Sequence, residues 1–279
     1  MLSSSAAFWW RSSLSAGNEH FAKALLKFAT PLKSLRRVPL LGNWLSRVGD
    51  KVVPRDTLIW AQIQRGHAAG LWMQLSPRTG KGLLLGDSEP EIQDAISSQV
   101  KPGMTFYDVG ANIGFFSLLA ARLTGPTGCV VAFEADPEIA SRLRQNARRN
   151  EFGWLSVTEA AVWSEPRSIF FQRSDPQTSP DRGLGHVVEM AGVDTIGVQA
   201  ISLDEFARSA PPPDFIKCDV EGAEMEVFRG ARRLLAENRP RILCEVHSDA
   251  IRQPLLAELS AAQYSCKDCG QRHILALPL

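Results

Sequence analysis

The chain has few cysteines, no long apolar run and no excess of charge of one sign, and each absence argues against a class of protein. Five cysteines in 279 residues are few and odd in number, so no disulfide framework is indicated. A formal net charge of +1 gives no overall signal for nucleic acid as a partner. No apolar run approaches the ~20 residues that span a bilayer. We therefore expect a globular protein with free thiols, located in the cytoplasm.

Basic residues are concentrated at the N-terminus. Residues 1–55 carry nine Lys and Arg residues against two acidic residues, together with aromatic residues such as Phe8, Trp9 and Trp10. A segment of this kind can lie on an anionic membrane surface, which would make the protein peripheral to the membrane. The interpretation we favour is a helical appendage that packs on the main domain or on a second subunit. We assign residues 1–88 to a helical, basic extension with a small hairpin.

Predicted strands and helices alternate from residue 104 onward, with ~10–15-residue helices between the strands. This alternation is typical of βαβ units and favours a doubly wound, mostly parallel α/β sheet over residues 89–279. Apolar runs at residues 264–267 and 273–277 predict an antiparallel hairpin at the C-terminus. Residues 223–237 are predicted to form one helix.

Before this domain, the pattern predicts a helix at residues 57–70. The apolar runs at residues 71–75 and 81–85 flank a Pro-Arg-Thr-Gly turn signal, so we expect them to form the small hairpin.

The most informative motif is residues 106–114, in which an apolar run ends in Asp108 and a turn of small residues precedes a helix. Doubly wound domains bind nucleotide-type cofactors at this position. The turn contains Gly110, Ala111, Asn112 and Gly114, so Asn112 stands where a dinucleotide fingerprint has its middle glycine. A carboxylate beside the turn would repel a pyrophosphate. The motif therefore favours a cationic, phosphate-free cofactor such as S-adenosylmethionine, unless Asp108 merely caps the turn.

Two further acidic residues follow the next predicted strands. Glu134 can accept hydrogen bonds from both ribose hydroxyls, although NAD sites share this feature. Glu159, near the end of the third strand, could face the adenine or simply be exposed.

The sequence resembles the FkbM family of S-adenosylmethionine-dependent methyltransferases from about residue 65 onward. The matching segments are residues 107–114, 131–134, 202–206, 216–224, 229–231 and 243–247. The resemblance implies a seven-stranded, Rossmann-like methyltransferase sheet and transfer of a methyl group to a hydroxyl, often on a sugar or a natural product. The family usually has proline after the ribose-binding Glu, where this chain has Ala135.

The acceptor site is predicted at two neighbouring strand ends. Lys217, Asp219 and Glu221 alternate along one strand end and can converge on one side. Glu245 and His247 end the next strand, so Asp219 and His247 should meet. His247 is our candidate general base because the unperturbed pKa of histidine is ~6.5. Asp219 could orient the imidazole of His247 or bind the acceptor hydroxyl directly. Lys217 could simply pair with Asp219 or Glu221. His247 could also have a purely structural role.

Two metal sites are conceivable. A hard divalent cation could be held at the acceptor site; its candidate ligands are Asp219, Glu221, Glu245 and His247. Separately, Cys266 and Cys269 form a lone CxxC pair, a weak signal for half of a zinc site with His273.

The leading hypothesis is an S-adenosylmethionine-dependent O-methyltransferase that acts on a hydroxyl of a glycan, a glycolipid or a small secondary metabolite. The alternative is a non-catalytic S-adenosylmethionine-binding protein that docks on a membrane or a partner. A Gly/Pro-rich loop at residues 174–192 could act as a substrate lid, and its His186 is a second candidate base.

Overall fold

The computed structural model describes residues 57–76, 80–174 and 185–279. The strands are β1 (Ile59–Gln62), β2 (Trp72–Leu75), β3 (Thr105–Val109), β4 (Cys129–Glu134), β5 (Leu155–Glu159), β6 (Ala161–Val162), β7 (Arg167–Gln172), β8 (His186–Val188), β9 (Thr195–Ile201), β10 (Phe215–Cys218), β11 (Arg241–Glu245), β12 (Tyr264–Cys269) and β13 (His273–Pro278). The helices are α1 (Lys81–Leu85), α2 (Pro90–Gln99), α3 (Phe115–Thr124), α4 (Pro137–Arg149), α5 (Leu203–Phe206), α6 (Glu224–Arg229), α7 (Arg232–Glu237) and α8 (Asp249–Ala261).

A seven-stranded sheet in the order β12-β13-β11-β10-β3-β4-β5 forms the centre of the protein. Five neighbouring strands of this sheet, β11, β10, β3, β4 and β5, run parallel, whereas β13 is antiparallel to both β11 and β12. The predicted α/β fold with a C-terminal antiparallel hairpin is therefore confirmed. A separate four-stranded sheet has the order β6-β9-β7-β8, and β1 pairs with β2.

The central strands are apolar runs because helices cover both faces of the sheet. Every residue of β3 is buried, and its side chains alternate between two hydrophobic cores. Phe106 stacks on Phe215 in one core, whereas Tyr107 meets Phe133 edge-on in the other. This packing brings the carboxyl ends of β3, β4, β10 and β11 to one edge, where open α/β sheets bind their ligands.

The prediction for residues 57–85 is wrong in its details. The segment predicted as a helix contains β1, which forms the hairpin with β2, and residues 81–85 form α1 instead of a strand. Side chains in the last turn of α4 and just after it stabilise the hairpin. Asn150 accepts a hydrogen bond from Trp72 N–H, and Asn146 accepts one from Gln74 N–H, both at 2.8 Å. Buried residues of the hairpin share a core with α3.

The single helix predicted at residues 223–237 is divided into α6 and α7 around Gly230. A Cβ at Gly230 would lie 2.2 Å from the carbonyl oxygen of Trp163, so the close approach requires glycine. Asp204 then caps α7, because its carboxylate accepts hydrogen bonds from the backbone N–H groups of Arg233 and Leu234, each at 2.9 Å.

The predictions of a basic extension and of membrane contact for residues 1–55 lie outside the described residues. Across the parts of the chain that the structure describes, every helix is too short or too polar to cross a bilayer.

Candidate active site

A cleft opens at the carboxyl edge of the sheet, beside the turn that follows β3. It is lined by Val109, Gly110, Asn112, Phe133, Glu134, Ala135, Ala160, Ala161, Val162, Phe171, Gly185, Val187, Asp219, Val220, Glu221 and Ala223. Gly110 has a φ of 74°, and a Cβ there would lie 1.7 Å from the carbonyl oxygen of Asp219. Only glycine permits this turn, which lets the β3 backbone form the floor of the cleft.

Glu134 stands at the end of β4 with its carboxylate in the cleft wall. Its Oε2 accepts a hydrogen bond from Asn112 N–H and its Oε1 accepts one from Asp136 N–H, both at 2.8 Å. Burial raises the pKa of Glu134 to about 7. A carboxylate has about four acceptor positions. Backbone donors therefore do not use all of them, and the remainder can receive donors on a ligand.

Asp108 does not occupy the predicted position facing a ligand. Its side chain is fully buried beneath the cleft, where it accepts a 2.5 Å hydrogen bond from Ser117 Oγ. The parallel register places Lys217 opposite Asp108, and Lys217 Nζ lies 3.6 Å from Asp108 Oδ1. Burial raises the pKa of Asp108 above its usual value, and the Lys217 charge offsets only part of that rise. The cation beside Asp108 is thus a lysine of the protein itself.

Of the other predicted cofactor residues, Gly110 and Asn112 line the cleft, whereas Ala111, Gly114 and Glu159 do not. Ala111 is buried in the core, and Gly114 begins α3 against Leu143, where a Cβ would lie 2.7 Å from Cγ. Glu159 does not line the cleft; it pairs with Arg144 on the surface at 3.0 Å. The three residues after it, Ala160 to Val162, line the cleft instead and were not predicted.

Lys217 joins two carboxylates. Its Nζ lies 3.1 Å from Asp219 Oδ2 in addition to its approach to Asp108, and its side chain is 4% exposed. Burial lowers the pKa of Lys217, but the negative charges of Asp219 and Asp108 outweigh burial and raise the pKa well above its usual range. Lys217 therefore stays protonated and fixes Asp219 electrostatically.

His247 meets Asp219, as predicted from the adjacent strand ends. Its Nε2 lies 3.6 Å from Asp219, 3.4 Å from Glu221 and 3.6 Å from Glu245. Its Nδ1 lies 2.6 Å from Oε1 of Glu224, a fully buried acid at the start of α6 whose contact with His247 sequence reasoning missed. The hydrogen bond with Glu224 and the surrounding carboxylates raise the pKa of His247 to about 9.

Candidate metal ligands fall into two groups within the described residues, and the groups share Glu245. Asp219, Glu245 and His247 place one donor atom each within 4.8 Å of one another, as do Glu89, Glu245 and His273. The first group contains three of the four predicted ligands and the second was not predicted. Neither contains a cysteine. Cys266 and Cys269, three residues apart on β12, point to opposite faces of the sheet and so do not form a pair of ligands.

The small sheet contributes one wall of the cleft through Phe171 and Val187, together with Gly185 just before β8. Arg173, just after β7, forms an ion pair with Asp136 at 2.7 Å, beside Glu134, and so fixes this sheet to the start of α4. The predicted loop falls partly outside the described residues, since 175–184 are not described. His186 begins β8 and is not among the residues that line the cleft.

Comparison with known proteins places this geometry in a family. The chain matches the profile of the Methyltransferase FkbM domain over residues 108–271, which is more than half of its length. The chain belongs to the FkbM methyltransferase family. It is accordingly a methyltransferase of the S-adenosylmethionine-dependent type, and the matched region contains both the cleft and His247.

Individual relatives of this FkbM protein are distant. The hexuronic acid methyltransferase AglP of Haloferax volcanii is 28% identical over 180 residues, covering 63% of this chain and 70% of the relative. Among solved structures, the FkbM methyltransferase of Methylobacillus flagellatus KT has a TM-score of 0.47 at 18% identity, covering 62% of this chain and 43% of that one. An S-adenosylmethionine-dependent O-methyltransferase of Thermotoga maritima has a TM-score of 0.44 at 14% identity, and the match covers 80% of this chain and 78% of that one. The match thus spans less than half of the solved FkbM chain.

Proposed function

We propose that this protein is an O-methyltransferase that transfers the methyl group of S-adenosylmethionine to a hydroxyl of a glycan, a glycolipid or a small secondary metabolite. The observation that carries the proposal is the position of Asp219. It lines the same cleft as Glu134 and lies 3.6 Å from His247. The residue proposed to bind the cofactor and the residues proposed to accept the hydroxyl proton are therefore next to one cleft.

The cleft suits a cationic, phosphate-free nucleoside cofactor. Glu134 offers acceptor positions to ribose hydroxyls, and the apolar Phe133, Ala161 and Val162 can pack against an adenine ring. Asp219 and Glu221 add negative charge to the same wall, which favours a sulfonium and an ammonium and disfavours a pyrophosphate. Bound S-adenosylmethionine would supply an activated methyl group, so the protein's task is to align an acceptor oxygen with it.

His247 is our proposed acceptor of the hydroxyl proton. Glu224 fixes its ring through Nδ1 and leaves Nε2 directed at Asp219 and Glu221. The raised pKa of His247 means that the ligand-free protein holds a proton on this ring at neutral pH. Binding of a cationic cofactor nearby lowers that pKa and favours the neutral ring. Lys217 holds Asp219 in place to orient the acceptor hydroxyl.

A sugar that carries a carboxylate is the acceptor class we favour, since AglP is a hexuronic acid methyltransferase. The carboxylates of Asp219, Glu221 and Glu245 surround the proposed acceptor position and would repel a sugar carboxylate there. We therefore propose that a hydroxyl of the sugar receives the methyl group.

Methyl transfer to matched sugars tests this proposal. The purified full chain would be incubated with methyl-labelled S-adenosylmethionine and glycosides of glucose, of glucuronic acid and of its methyl ester. We expect label in a product that resists mild alkali, as an ether does. Alkali-labile label would mean that the carboxylate is the acceptor. Cofactor binding without transfer to these sugars or to lysate glycans would instead favour the non-catalytic binding protein.

A further inference from the structure

The residues Glu89, Glu245 and His273 come from three separate segments and meet at one edge of the sheet. We infer that they form a Zn²⁺ site next to the acceptor position. The inference rests on the geometry of these side chains and does not depend on the proposed methyl acceptor.

The backbone brings the three ligands together. Glu245 on β11 and His273 on β13 are direct partners in the antiparallel register, so their side chains share one face of the sheet. Glu89 precedes α2 in the left-handed conformation, with a φ of 46°, a conformation uncommon for a non-glycine residue. The unusual turn at Glu89 accompanies the approach of its carboxylate to His273.

The two distances from His273 suit a tetrahedral ion, and all three donor atoms lie within 4.8 Å of one another. His273 Nε2 lies 3.7 Å from Glu89 Oε2 and 3.6 Å from Glu245 Oε2. Zinc bonds of about 2.0–2.2 Å separate tetrahedral ligand atoms by about 3.3–3.6 Å. A small inward movement would therefore complete the geometry. One imidazole and two carboxylates with an open fourth position are a donor set that zinc accepts.

His273 supplies an independent sign of a ligand. Its side chain is 8% exposed, and its Nε2 is buried without a hydrogen-bond partner. Buried polar atoms are almost always paired, and an orphaned one calls for an explanation such as an ion. His273 Nε2 is directed at two carboxylates that lie beyond hydrogen-bond distance, which is the arrangement that an intervening cation would explain.

The competing group of Asp219, Glu245 and His247 has a weaker claim to the ion. His247 already engages Glu224 through Nδ1 at 2.6 Å, and its Nε2 has three carboxylates around it. Glu245 directs Oε1 toward His247 and Oε2 toward His273. An ion at His273 would thus hold Glu245 in place beside the acceptor position and tie α2 to the sheet edge.

Zinc titration of the full, tag-free chain tests the site. Protein stripped with a chelator would be titrated with Zn²⁺ by calorimetry, and bound zinc and thermal midpoint would be measured after desalting. We expect one zinc ion per chain and a raised midpoint. H273Q and E89Q should each weaken binding by about tenfold or more. E89Q is included because Glu89 is partly exposed, so its replacement disturbs the fold less than replacement of the buried His273. H67Q is the matched control, since His67 pairs with Asp94 on the surface.

Three outcomes would overturn the site. The first is no zinc binding by the wild-type chain. The second is binding that H273Q and E89Q leave intact but H247Q removes, which would place the ion at Asp219 and His247. The third is binding that only replacement of Cys266 and Cys269 by serine removes, which would assign the ion to the thiols.

Discussion

Replacing Lys217 with methionine should lower the free energy of unfolding by about 3–5 kcal/mol. Lys217 is almost completely buried between Asp108 and Asp219, and Asp108 is fully buried. Methionine keeps much of the volume but leaves the Asp108 carboxylate without its cation. The loss of one partner of a buried pair is costly because the remaining charge is uncompensated.

Urea unfolding at pH 7 measures this effect, with K101M as the control because Lys101 lies on the surface. The double variant D108N/K217M should recover part of the loss, since it removes both charges and keeps an oxygen that can accept from Ser117. A K217M chain as stable as K101M would show that Lys217 does not compensate Asp108.

Replacing His247 with alanine should reduce turnover by about 10²- to 10⁴-fold, the usual contribution of a positioned general base. Affinity for S-adenosylhomocysteine should stay largely unchanged, because His247 is not among the residues that line the cofactor cleft. Glutamine at this position can retain a hydrogen bond with Glu224 but cannot take up the proton, so H247Q should be as slow as H247A.

Single-turnover rates with saturating cofactor separate this chemistry from product release. The matched control is H67A, which removes a surface histidine distant in sequence from the acceptor site. If H247A turns over at the wild-type rate, another group removes the hydroxyl proton. If H247Q is active and H247A is not, His247 acts through position instead of proton transfer.

The sequence predicted the central sheet and the turn after β3 because both leave local signals. Buried parallel strands are continuous apolar runs, and Gly110 is required by its own backbone conformation and by the nearby Asp219 carbonyl. The β1–β2 hairpin has no such signal. Its stability depends on Asn146 and Asn150, more than 70 residues away, so residues 57–70 could not be assigned from local pattern alone.

At the site, neighbouring strand ends were enough to predict that Asp219 meets His247. Strand register could not be read from the sequence, and register decides which other side chains of the site lie opposite each other. Register places Lys217 opposite Asp108, so the two side chains form a buried ion pair beneath the cleft. It also places His273 opposite Glu245. Glu224 has the position of an ordinary first-turn acid in α6, and only the folded chain shows that it holds His247.

Calorimetric binding of S-adenosylhomocysteine at pH 8 tests the cofactor cleft most directly, because Glu134, with a pKa of about 7, is then ionised. We expect one molecule per chain and no competing affinity for NAD. Hydrogen bonds to charged groups contribute about 1.5–3 kcal/mol. E134A and E134Q should therefore weaken binding by about 10- to 150-fold. Preferential binding of NAD, or S-adenosylhomocysteine affinity unchanged in both Glu134 variants, would contradict the assignment of this cleft.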